Sequence, residues 1–218
     1  MRILDLTRPL AAGMPIYPGD PPVEFAPALS LATDGWRVTR LQLGTHAGTH
    51  VDAPAHCLAA GLPVEQLPWE ALMGPAQVLN FSHLTSGSEI TAAMLAGRVP
   101  QRGRLLLRTD WQRRFGSEVY YRHFPGLTPD AARLLVAQEV RLLGLETPSL
   151  HPEKDAEVHR ILLSAGTVVV EGLVNLCDLS TDRPWIAVLP LPLVGLDGAP
   201  CRAVAVEGGG KPWEERRL

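Results

Sequence analysis

Three of the seven histidines, His46, His50 and His56, fall within eleven residues, and Asp52 stands among them. An even spread would put well under one histidine in such a window. Imidazole nitrogen and carboxylate oxygen are good ligands for zinc, manganese or iron, and neutral histidine binds metal at neutral pH. His46, His50 and Asp52 supply three donors and leave a coordination position open, as chemistry at a metal requires. His56 is then spare, and an unligated histidine is the usual acid–base group near pH 7. His46 and His50 would share a face of a helix, but Gly48 and Pro54 argue against one. The segment reads as a loop leaving a strand, with Gly48 permitting a positive φ or close backbone approach and Pro54 stiffening the exit. The bland alternative is a surface His–Asp pair with two histidines four apart by accident. Three histidines and an aspartate in a chain without a histidine-rich tag weigh against it.

Elements must converge these donors. Runs rich in Val, Leu and Ile predict strands at residues 2–6, 37–43, 77–81, 104–109, 141–146, 167–171, 185–189 and 202–207, with the composition of buried strands. Three helices fall between them. One opens at Thr128-Pro129-Asp130, with an N-cap, a proline at the first position and an acid in the first turn. A second runs from Ser88-Glu89 toward Leu95 and stops at Gly97. A third spans 153–165, with Val158, Ile161, Leu162 and Ala165 on one face and Gly166 at its end. Strands alternating with helices late in the chain predict an α/β fold, a mixed sheet with helices packed around it. No linker or charge block divides the chain, so residues 1–218 read as one domain.

Composition narrows the function classes. Hydrophobic residues make up 46% and charged residues 20%, as in an ordinary globular protein. Twenty Lys+Arg against 23 Asp+Glu leave a net charge of -3, which argues against a nucleic-acid binder or a polybasic membrane surface. No stretch approaches the roughly 18–20 apolar residues that span a bilayer. The first ten residues carry Arg2, Asp5 and Arg8 and lack the apolar centre of a signal peptide. Three widely spaced cysteines, Cys57, Cys177 and Cys201, do not form a disulfide framework and fit a reducing cytoplasm. Cys57 adjoins His56, but adjacent side chains rarely aim at one another and no orienting third group is evident, which disfavours a cysteine hydrolase.

The pattern His46-x-Gly48-Thr49-His50-x-Asp52-x-Pro54-x-His56 resembles the signature of the cyclase family of metal-dependent hydrolases, which includes bacterial kynurenine formamidase (arylformamidase) and isatin hydrolase. The resemblance extends along the chain. It includes Ile16-Tyr17-Pro18-Gly19-Asp20, Glu146-Thr147-Pro148-Ser149, His159 with Glu171-Gly172-Leu173, Leu189-Pro190-Leu191-Pro192 and Ala199-Pro200-Cys201-Arg202-Ala203. Tyr17 stands where kynurenine formamidases commonly carry Trp, and Gly48-Thr49-His50 replaces their frequent Gly-Ala-His.

The resemblance implies a swivelling β/β/α architecture and a set of roles. His46, His50 and Asp52 would bind a first divalent metal, and Asp52 would bridge to a second held by His159, with Glu171 touching both. Zinc is the first choice and manganese the other, one or two ions per chain. His56 would donate and accept protons. Tyr17 would line the substrate pocket across a dimer interface, since such proteins are typically homodimers or higher homo-oligomers. The residues give the distant pair separate meaning. Glu171 ends the apolar run 167–170, where a carboxylate needs a partner such as a metal unless the strand simply surfaces there. His159 alone reads as a packed or capping histidine. The expected activity is hydrolysis of a non-peptide amide, N-formylkynurenine first, in tryptophan breakdown. Opening of a cyclic amide or imide, and metal or small-molecule binding without catalysis, are the alternatives. Tyr17, Trp36 and Trp111 are candidates for an aromatic wall. His83 and His123 carry no argument, and His151 before Pro152 reads as loop surface.

Overall fold

The computed structural model describes residues 1–208. In chain order the strands are β1 (Arg2–Asp5), β2 (Glu24–Leu29), β3 (Val38–Gln42), β4 (His50–Asp52), β5 (Met73–Asn80), β6 (Glu89–Ile90), β7 (Arg104–Arg108), β8 (Gly126–Leu127), β9 (Leu142–Leu145), β10 (Val168–Glu171), β11 (Trp185–Pro190) and β12 (Gly198–Glu207). The helices are α1 (Leu31–Asp34), α2 (Trp69–Leu72), α3 (Ala92–Leu95), α4 (Glu118–Arg122), α5 (Pro129–Ala137) and α6 (Asp155–Ser164).

Seven strands close into a ring in the order β12, β11, β5, β7, β9, β10, β4 and back to β12, and β1 adds to the edge of β12. Strands β5, β7, β9 and β10 run parallel, whereas β4, β11, β12 and β1 pair antiparallel. The mixed sheet and surrounding helices agree with the α/β expectation. Ring closure falls to the ten residues of β12. Its first three, Gly198 to Pro200, pair with β4, and Cys201 onward pairs with β11 on the other side.

The central strands are apolar throughout because both of their faces are covered. Alternation sends Leu106, Leu142, Val168 and Val170 into the ring interior beside Val51, Ile186 and Ala203. Leu105, Leu107, Leu143 and Val169 point the other way, against Ala131 and Leu135 of α5 and Val158 and Leu162 of α6. Helix α5 starts where its cap predicts, with Thr128 Oγ1 accepting from Ala131 N–H and Pro129 at the first position. Helix α6 occupies most of 153–165, and Gly166 follows it at φ +78°.

Three expectations need correction. The segment after Ser88-Glu89 is not helical at its start. Glu89–Ile90 forms β6 against β8, and the helix opens only after Thr91. The 37–43 strand exists as β3 but is exposed throughout, because it pairs only with β2 in a separate two-stranded ribbon. Val38 and Leu41 stand three apart on it and so point to opposite faces, and both stay exposed among the described residues. The donor motif is not all loop either: His50–Asp52 is the closing strand β4, and Pro54–His56 is a 3-10 turn.

Candidate metal centre

Register explains how distant donors meet. β4 and β10 pair antiparallel with His50 opposite Glu171 and Asp52 opposite Val169. Residues two apart on a strand share a face, so His50 and Asp52 point outward with Glu171, while Val51 between them enters the ring core. Helix α6 packs on that outer side and brings His159. The turn before β4 brings His46. Gly48 in that turn has φ +70°, and Gly172 after β10 has φ +65°. A Cβ on Gly172 would lie 2.6 Å from the Gly48 carbonyl oxygen, so the two turns touch backbone to backbone.

Asp52 is the hub. Its Oδ1 lies 2.8 Å from His46 Nδ1 and 3.4 Å from His50 Nε2. Its Oδ2 lies 3.5 Å from His159 Nε2. Glu171 reaches His50 Nε2 at 3.5 Å and His159 Nε2 at 3.3 Å. His50, Asp52, His159 and Glu171 are all buried. Their ligand atoms form two triples, His46/His50/Asp52 and Asp52/His159/Glu171, each with atoms within 4.8 Å of one another and sharing Asp52. Backbone carbonyls fix the rings: Gly48 O is 3.1 Å from His50 Nδ1, and Asp155 O is 3.0 Å from His159 Nδ1. Each Nδ1 donates there, which leaves Nε2 as the ligand atom.

Charge in this pocket is unusual. Burial opposes protonation of His50, yet the Asp52 and Glu171 carboxylates prevail and raise its pKa to about 10. His159 is likewise raised against burial by Asp155, Asp52 and Glu171, and His46 by Asp52 and Asp197. Burial would raise Asp52, but the imidazoles hold it well below the usual carboxylate range. Without a cation, protons on imidazole take its place, so metal entry must release them. Asp52 Oδ2 is buried and has no hydrogen-bond partner. A buried carboxylate oxygen left free among convergent imidazole nitrogens fits a divalent ion.

His56 lies beside this hub. Its ring centroid is 4.2 Å from that of His46 and 5.4 Å from that of His159, and Nδ1 is 3.6 Å from Asp197 Oδ2. No hydrogen bond or ion pair among the described residues joins His56 to Asp52 or Glu171. It does form a third triple of donors with His46 and Asp197. The groups open into a cavity of about 200 Å³ that Tyr17, Asp20, Pro148, Ser149 and Asp155 also line. Tyr17 reaches it within its own chain, so no second chain is needed to bring it there. Ser149 Oγ donates to Asp155 at 2.7 Å.

Trp36 is 72% exposed on the ribbon, and Trp111 is buried, donating Nε1–H to Tyr120 O. Neither lines the cavity. Tyr121 stands edge-on to Tyr17 instead, at 5.9 Å between centroids. His151 is buried, not loop surface: its Nδ1 accepts from Glu153 and Lys154 N–H ahead of α6. Cys57 packs against the apolar layer between the sheet and helices α5 and α6, and burial raises its pKa, which disfavours a thiolate nucleophile. Sequence reading missed Asp197, which hydrogen-bonds His46 Nε2 at 2.7 Å.

The family model described as "Putative cyclase" matches residues 4–152. The chain belongs to this cyclase family. Solved structures similar to this cyclase-family chain extend the likeness past the matched segment. Isatin hydrolase A from Labrenzia aggregata is 27% identical with a TM-score of 0.85, covering 94% of this chain and 93% of that one. Isatin hydrolase A from Ralstonia solanacearum is 26% identical with a TM-score of 0.84, covering 94% and 91%. A protein from Bacillus stearothermophilus described as a "predicted metal-dependent hydrolase" is 28% identical with a TM-score of 0.78, covering 94% and 97%. No helix among the described residues is long and apolar enough to cross a membrane.

Proposed function

We propose that this cyclase-family protein is a metal-dependent hydrolase of non-peptide amide bonds, with His56 as its proton-transfer residue. The observation that carries the reading is Asp52, buried and shared between two donor triples, with a histidine outside both at the cavity wall. His46, His50, Asp52, His159 and Glu171 would hold one or two divalent ions, zinc first and manganese second. A bound ion of this kind lowers the pKa of water toward about 7 and polarises a carbonyl. His56 takes the proton from the attacking water and returns it to the leaving nitrogen, so one imidazole serves both steps. Asp197 Oδ2 faces Nδ1 of His56 at 3.6 Å and helps to orient the ring. Tyr17 packs against the organic part of the substrate. Residues 1–218 would form one catalytic unit working in the cytoplasm as a homodimer or higher homo-oligomer.

N-formylkynurenine is the proposed linear substrate, placing the chain in tryptophan breakdown. Opening of a cyclic amide is the second reading, and the isatin hydrolases among the similar structures favour it. The test uses protein stripped of metal, reconstituted with zinc or manganese, and counted for metal per chain. Turnover of N-formylkynurenine or of isatin, identified by product, assigns the linear or the cyclic branch. Bound metal with turnover of neither removes both substrates, and failure to bind metal removes the reading.

A further inference from the structure

Beside the metal cavity lies a smaller recess of about 30 Å³. Tyr17, His46, His50 and Pro148 line both, so the two recesses adjoin across these four side chains. The smaller recess's wall holds Arg8. Its guanidinium lies over the Phe115 ring at 3.8 Å from the centroid, with the Tyr120 ring at 5.7 Å. Among the described residues no carboxylate forms an ion pair with it. Its Nη2 is buried and has no hydrogen-bond partner. The Tyr120 phenol is a hydrogen-bonding neighbour of this guanidinium, but a phenol is neutral near pH 7, and burial raises the pKa values of Tyr120 and Tyr121 further, so neither balances the charge. A partly buried guanidinium with a free N–H and no counter-charge is costly to keep unless something anionic arrives.

Arg8 is also well placed. Its backbone N–H donates to Thr49 Oγ1 at 2.8 Å, and Thr49 in turn donates to Gly172 O at 2.7 Å. The residue is thereby tied to the turn that carries His46 and His50 and to the end of the strand that carries Glu171. Arginine presents a planar fork matched to a carboxylate, and stacking on Phe115 holds that fork in one plane. The smaller recess has room for a group of about that size and little more.

We infer that Arg8 is the anion subsite of this pocket and that the substrate carries a carboxylate, which docks on Arg8 while its amide lies at the metal-binding side chains. The inference rests on the hydrolase reading and narrows its substrates to anionic amides. The test compares N-formylkynurenine with its carboxamide, which keeps the aryl formamide and removes the charge, on reconstituted wild type, Arg8→Gln and Arg8→Lys. Arg8→Gln is expected to lose about 10- to 100-fold in kcat/KM on the acid, mostly through KM, and to leave the carboxamide nearly unchanged. Arg8→Lys should retain part of the preference, since it keeps the charge without the fork. The ratio of the two substrates within one preparation cancels any general loss of folded enzyme. Equal loss on both substrates, or loss on neither, overturns the subsite. Calorimetric titration with kynurenine and kynurenine carboxamide needs no turnover and separates Arg8 from the hydrolase reading. Tighter binding of the acid that disappears in Arg8→Gln supports the subsite even if neither formamide is hydrolysed, and equal binding of both overturns it.

Discussion

Asp52 and His56 are four residues apart, and the structure gives them opposite environments. Asp52 is 1% exposed and surrounded by imidazoles, whereas His56 stands at the cavity wall. Asp52→Asn should therefore abolish metal retention, because it removes the charge both triples share. His56→Ala should keep metal and lose about 10²- to 10⁴-fold in kcat, the usual weight of a general acid–base. Metal counting on each purified variant, followed by steady-state kinetics, checks both; metal loss in His56→Ala would make His56 a ligand. Glu146 is a second buried carboxylate with a different consequence. Burial pushes it up to about 7, although Thr109 and Asp110 N–H donate to its Oε2. Between pH 4.5 and 7 the folded chain holds this proton and the unfolded chain has lost it, so stability falls as pH rises. The loss is on the order of 3 kcal/mol at about 1.4 kcal/mol per pKa unit. Glu146→Gln can accept from the same two N–H groups. The Tm difference between variant and wild type should grow in the variant's favour from pH 5 to 8, and a difference constant across that range would refute the buried-proton account. The metal-site motif was legible at this scale because its donors crowd into eleven residues. Asp197 was not, because Asp-Gly before a strand reads as a turn, and only pairing of β12 with β4 brings it to His46.

At the scale of elements, two glycine turns set the spacing between β4 and β10. Gly172→Ala would force a side chain onto a left-handed φ and toward the Gly48 carbonyl. The expected cost is on the order of 1–3 kcal/mol. Part of it should appear as weaker metal binding, since the Gly48 turn carries His46 and fixes the His50 ring. Thermal unfolding and a metal titration check this, and unchanged metal affinity in a destabilised variant would confine the contact to folding. All eight runs read as strands are strands; β7, β9 and β10 were legible because strands buried on both faces are nearly continuous in Val, Leu and Ile, whereas β3 is a strand although it is exposed throughout. Strands β4, β6 and β8 escaped the same reading because two or three residues are too few to show a period. β2 escaped because Pro27 interrupts it on an exposed edge. The Ser88-Glu89 misreading has a related cause: a capping pattern is local, and pairing of Glu89–Ile90 with β8 overrode it.

For the whole molecule, ring closure hides the strand edges that an open sheet would present, so the apolar surface that remains exposed is informative. One cluster lies on the β2–β3 ribbon and the segment that joins its strands. Leu31 is 64% exposed, Trp36 72%, Leu41 60% and Val38 45%, all within eleven residues of sequence. A partner seated on one side of the ribbon would cover part of this surface. The proposed homodimer supplies one: a second ribbon offers the same apolar side chains, and a two-fold interface pairs like with like. Neither strand of the ribbon joins the closed sheet, and both are largely exposed. Two-stranded ribbons are marginal in water without such cover. Light scattering on the eluting protein should therefore give twice the chain mass. The double variant Trp36→Ser with Leu41→Ser should fall to one chain mass with its metal content unchanged, because none of the donor residues lies on the ribbon. A wild-type chain that runs as a monomer at micromolar concentration would remove the homodimer while leaving the metal centre and its chemistry standing, since Tyr17 and every proposed ligand come from one chain.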